Sequence, residues 1–121
     1  MDSRLDHVGA ETIVDRYLAR HAATDLEGVV ALFAEAAIVE DPVGAPVRRG
    51  HADIRDFYRE TYIRNGPVVF ERIGRVLLGA DEIALHVRAR LARDVDGAWM
   101  DVIYLLRVDE ARLVRSLRAF F

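Results

Sequence analysis

Cysteine is absent from the 121 residues, which excludes disulfides, thiolate metal sites and cysteine nucleophiles. No apolar run approaches the roughly 18 residues a membrane span needs. The N-terminal segment, with Asp2, Arg4, Asp6 and His7, contains no apolar signal stretch. A cytoplasmic location and no membrane partner are therefore expected. An excess of positive charge is missing too: 17 basic and 20 acidic residues leave a net charge of −3, so no nucleic-acid partner is expected. There is no glycine-rich phosphate loop and no serine elbow. The four histidines, His7, His21, His51 and His86, fall at no ligand spacing, so no metal is expected.

What remains is the composition of a soluble globular chain, 52% hydrophobic and 31% charged, of a length that fits one domain over residues 1–121 with a single pocket. Ile13, Val14, Tyr17, Leu18 and His21 recur at helical spacing and predict a first helix over 10–23. Thr24 and Glu27 match a capping box for a second helix carrying Val29, Leu32 and Phe33. A third helix follows Gly50, with Ile54, Phe57, Tyr58 and Thr61 on one face, and Asn65-Gly66-Pro67 ends it. From Val68 the period changes to segments of about ten residues separated by turns at Gly79-Ala80-Asp81, Asp94 to Gly97 and Asp109-Glu110-Ala111, which predicts a four-stranded antiparallel meander. In its second strand Leu85, Val87, Ala89 and Leu91 share one face and His86, Arg88 and Arg90 the other. Helices followed by a long sheet give an α+β class with a curved sheet around a pocket.

The chemistry centres on Val39-Glu40-Asp41-Pro42-Val43-Gly44. Ala36 to Val39 predict a short strand that Pro42 and Gly44 break. Alternation puts Asp41 on the side of Ala37 and Val39. Asp before Pro is also an ordinary turn opener, so local spacing leaves both a structural and a functional role open. The same holds for Tyr17 on the apolar face of the first helix, either a core tyrosine or a phenol directed into a cavity.

Together, Asp15-Arg16-Tyr17, Val29 to Ala34, Val39 to Gly44, Ile54-Arg55-Asp56-Phe57-Tyr58 and Asp101-Val102-Ile103 resemble the bacterial steroid Δ5-isomerases, the ketosteroid isomerases of the nuclear-transport-factor-2-like (NTF2-like) or SnoaL-like superfamily. The resemblance covers nearly the whole chain. It implies a cone-shaped fold, a steroid-like or small hydrophobic ketone as ligand, no cofactor, and a homodimer formed through the sheet. It also implies Asp41 as the general base that moves a proton along the ring, Tyr17 as an oxyanion donor, and Tyr58 as the tyrosine that polarises it. One departure stands out. These isomerases pair the tyrosine with a protonated aspartic acid, and the ungapped match of Asp101-Val102-Ile103 and Arg107 puts Tyr104 in that place. Asp101, three residues away, faces the opposite side by alternation. Phe33 stands where some relatives carry a further tyrosine.

The expected site is thus Asp41, Tyr17 and Tyr104, with Tyr58 behind them and Val39, Phe57, Leu85, Val87, Leu117 and Phe121 lining an apolar pocket. Two other functions fit the same frame. One is an epoxide hydrolase or cyclase, with Glu71 as the nearest candidate for a second carboxylate; the other is a non-catalytic binding module. Arg88, Arg90 and Arg107 read as a solvated stripe or part of a dimer contact, Trp99 as a residue facing away from the pocket, and Arg48 and Arg49 as solubilising charge.

Overall fold

A computed structural model describes residues 4–121. Helix α1 runs His7–Ala22, α2 Leu26–Val30 and α3 Gly50–Asn65; the strands are β1 Phe33–Glu40, β2 Arg48–Arg49, β3 Val68–Arg72, β4 Leu77–Gly79, β5 Glu82–Leu91, β6 Met100–Val108 and β7 Val114–Phe120. The expected α+β architecture holds, with helices packed on a curved, unclosed sheet. Strand order is β2-β1-β7-β6-β5-β3, with β4 paired to β5.

Each helix follows its apolar stripe. In α1, Ala10, Ile13, Val14, Tyr17, Leu18 and His21 are buried, one face at i, i+3 and i+4, and the Asp6 carboxylate caps the start by accepting from the Gly9 N–H at 2.7 Å. The capping box expected at Thr24 is not formed. Thr24 takes a positive φ of 55°, so the chain turns there, and Asp25 caps α2 instead by accepting from the Gly28 N–H. A carboxylate one residue closer to the first turn performs the same task. Helix α2 is only a short turn; Phe33 and Ala34, expected in it, begin β1. Gly66, with φ of 66°, closes α3 as Asn65-Gly66-Pro67 predicted.

The expected first strand of the meander is two strands. Gly74, with φ of 77°, lies between β3 and β4, and both pair with β5, β3 along its C-terminal half and β4 along its start. Strands β3, β5, β6 and β7 are antiparallel as expected, and β1 adds to β7 in parallel. On β5, Ile83, Leu85, Val87 and Ala89 are buried, as the alternation predicts. The outer face carries His86, whose Nε2 lies 2.8 Å from Asp101, with Arg88 beside it. Asp101 therefore faces away from Tyr104, which is buried. Helix α1 covers β3 and β4, and α3 covers β1. The salt bridges of Arg72 to Glu11 and to Asp15 tie β3 to α1.

Candidate functional site

The two ladders around β7 set Asp41 and Tyr104 at one level of the sheet. Tyr104 pairs with Ala119, and the Val43 N–H donates to the Ala119 carbonyl at 2.8 Å, fixing the Pro42 turn against the same residue. Glu40 and Asp41 are neighbours with opposite fates. Glu40 points outward, accepts from the Gly44 N–H and pairs with Arg118, and those bonds hold its carboxyl below the usual range. Asp41 points inward onto the wall of a cavity of about 520 Å³. Among the described residues no hydrogen bond or ion pair reaches its carboxylate, and burial pushes its pKa up to about 6. A carboxylate kept unpaired and partly dehydrated is a base of useful strength near neutral pH.

The cavity lies at the end of the sheet formed by the start of β6, the end of β5 and the start of β3, under the C-terminal half of α3. Phe57, Thr61 and Arg64 descend one face of α3 into it, and Val68, Phe70, Ala89, Met100, Val102 and Phe121 supply most of its apolar wall. Arg64 and Asp94 are exposed at its opening. From Tyr104 to Met100 the wall extends about 13 Å along β6. The volume falls within the range of sites for small organic ligands.

Of the residues expected at the site, Asp41, Tyr104, Phe57 and Phe121 line this cavity. Tyr17 and Tyr58 do not. They are 1% and 0% exposed, and their hydroxyls share a hydrogen bond of 2.9 Å in the core behind the wall. Tyr17 meets Tyr104 edge-on, ring centroids 5.4 Å apart, so the three phenols form a connected group with Tyr104 facing the cavity. Burial raises all three pKa values, and the Asp41 charge adds to each, so all are neutral donors at ordinary pH.

Val39, Leu85, Val87 and Leu117, expected on the cavity wall, are instead sealed in the core. Their facing is as expected, but at their level the space inside the sheet is filled by packed core side chains rather than left open. Glu71 sits opposite Arg88 on the outer face and is exposed, so it offers the cavity no second carboxylate. Trp99, outside the cavity, lies under the Arg90 guanidinium at 5.0 Å.

Sequence reasoning missed His21 as a wall residue, although its place on the apolar stripe was the available signal. Its Nδ1 lies 2.9 Å from the Tyr62 hydroxyl, and its ring stacks on Tyr17 at 5.5 Å. Burial pulls its pKa down to about 4, so the imidazole is neutral at pH 7. Among the described residues no group of three or more His, Asp or Glu side chains could hold a metal ion, and no helix is long and apolar enough to cross a membrane.

A family model described as the SnoaL-like domain matches residues 14–116. The chain belongs to the SnoaL-like family. A curated relative from Nocardioides simplex named steroid Delta-isomerase is 30% identical over 112 residues, covering 89% of this chain and 85% of the relative. Among solved structures, one concerning the epoxide hydrolase/cyclase-like enzyme SalBIII in pyran ring formation in the polyether salinomycin aligns with a TM-score of 0.79 and 25% identity, covering 95% of this chain and 92% of that one. Both names are those of enzymes.

Proposed function

We propose that this SnoaL-like protein is an isomerase that moves a carbon–carbon double bond into conjugation with a ketone on a steroid-like ligand. The observation that carries the reading is the unpaired Asp41 carboxylate on an apolar cavity wall, level with the Tyr104 phenol across β7. Asp41 takes a proton from the carbon between the carbonyl and the double bond. The electron pair spreads onto the carbonyl oxygen to give a dienolate, and Asp41 returns the same proton two carbons further along. Tyr104 donates a hydrogen bond to that oxygen, where charge accumulates in the transition state. Tyr17 and Tyr58, hydrogen-bonded to each other, polarise Tyr104 from behind rather than touching the ligand. Proton and electrons balance within the substrate, so the cycle needs no cofactor.

The 30% identity to a steroid Delta-isomerase supports this reading. The cyclase reading needs a second carboxylate beside the ligand, and with Glu71 on the outer face the remaining wall carboxylate is Asp94, exposed at the opening. The proposed assembly is a homodimer through the outer sheet face, where Trp99, Ile103 and Phe120 are partly exposed; light scattering of the purified chain tests it. For the activity, the protein is mixed with a Δ5-3-ketosteroid and the ultraviolet absorbance of the conjugated enone is followed. Turnover that vanishes in Asp41→Asn is expected. Steroid binding without turnover would turn the assignment to a binding module, and opening of an epoxide panel would turn it to the cyclase class.

A further inference from the structure

We propose that His21 contacts the ligand directly, presenting an Nε2–H to the same carbonyl oxygen as Tyr104 and thereby occupying the role expected of Tyr17. Tyr17 and His21 stand one turn apart on the same face of α1. The tyrosine is the deeper of the two, with its hydroxyl engaged by Tyr58 and its side chain off the cavity wall. The histidine is the one that reaches the wall.

The imidazole is held by its surroundings. Tyr17, Tyr58, Tyr62 and Phe70 pack around it with ring centroids 5.4 to 5.6 Å away, and Tyr62 engages Nδ1. Nε2 makes no hydrogen bond to any described residue, yet it is not among the side-chain atoms sealed from the surface without a partner. A polar ring nitrogen in an aromatic cage is costly unless something pairs with it. The cavity is the side from which that partner comes. In this proposal Tyr62 is the donor to Nδ1, the arrangement that leaves the ring proton on Nε2 and makes His21 a neutral donor. His21 and Tyr104 share two ring neighbours, Tyr17 and Phe70, so both donors lie at one pole of the cavity. Such a pole selects an oxygen that only accepts, a ketone in preference to an alcohol or an amine.

This inference deepens the ketone-isomerase reading, and its test separates the two. Protein labelled with ¹⁵N-histidine is titrated with a Δ4-3-ketosteroid, and the imidazole nitrogens are followed by NMR at pH 7. One Nε2 resonance, absent from His21→Phe, is expected to shift at saturation while those of His7, His51 and His86 stay in place. His21→Phe should weaken ketone binding about tenfold, the scale of one hydrogen bond, and His21→Gln, which keeps a donor, should recover most of it. Saturable ketone binding with an unmoved His21 Nε2, or a His21→Phe protein that binds as the wild type does, would overturn the inference and leave the isomerase reading standing. The expected Nε2 shift without turnover would do the reverse. No binding of the ketone at any concentration would overturn both.

Discussion

The two ends of the curved sheet use the same strands differently. At one end Ile83, Leu106, Val108, Val114 and Leu117 are sealed in the packed core. At the other, four to eight residues along β5 and β6, Ala89, Met100 and Val102 face a cavity that also takes in Asp41, His21 and Tyr104. The side chains named at the packed end are all aliphatic, whereas the open end holds a carboxylate and an imidazole with displaced pKa values. On β5 and β6 side-chain alternation runs unbroken from one end to the other. What changes is whether the space beneath the helices is packed with side chains or left as a cavity, and that decides which residues carry stability and which can carry chemistry.

The sharpest way to test this division is Asp41→Asn, which should lower turnover by about a thousandfold or more, the scale of a lost general base. The isosteric amide should leave the fold intact by circular dichroism. In the wild type, kcat/KM should fall as pH drops through about 6, where Asp41 becomes protonated. A flat profile there would remove Asp41 from the role of base.

Leu117→Ala tests the opposite end. Leu117 is fully buried, and its truncation should cost about 2–5 kcal/mol by urea denaturation. Turnover measured well below the melting temperature should stay within a few-fold of wild type. If activity collapsed while the fold remained, the packed end would belong to the site after all.

Within the open end, Tyr104→Phe should cost about a hundredfold in kcat, the scale of one lost oxyanion donor. Tyr17→Phe should cost less, because the Tyr17 hydroxyl is bonded to Tyr58 behind the wall. The reverse order, measured by the enone absorbance, would place Tyr17 rather than Tyr104 against the ligand.

These contrasts also show what the chain made legible. The third-helix face from Ile54 to Thr61, the alternation on β5 and the inward side of Asp41 followed from spacing alone, because helix and strand periods are local properties of the backbone. Depth is not. Nothing in the alternation of Leu85 and Val87 says that they are sealed in the core, and nothing near Tyr17 says that the cavity begins one turn later, at His21. The cap at Asp25 in place of Thr24 and the break at Gly74 belong to a third kind, in which two adjacent residues can each do the task and the tertiary path chooses.

The finest expected effect is a near-cancellation in the dependence of stability on pH. Burial raises the Asp41 pKa from its ordinary value near 3.8 to about 6. The folded state therefore binds more protons than the unfolded chain between those values, and acidification across that window stabilises it. Burial lowers the His21 pKa from 6.5 to about 4, so there the unfolded chain binds more protons and acidification destabilises the fold. Each shift exceeds two pH units, or roughly 3 kcal/mol, and the two have opposite signs over nearly the same window. The carboxylates held low by surface pairs, such as Glu27 and Asp101, lose their contribution mainly below pH 4.5 and leave the interval from 4.5 to 6.5 to the cavity pair. Urea midpoints of the wild type should thus change by about 1 kcal/mol or less across that interval. Asp41→Asn should expose the histidine, losing stability steadily as pH falls. His21→Phe should expose the aspartate, gaining stability over the same range. Parallel slopes in the two variants would show that these groups do not share one dehydrated cavity.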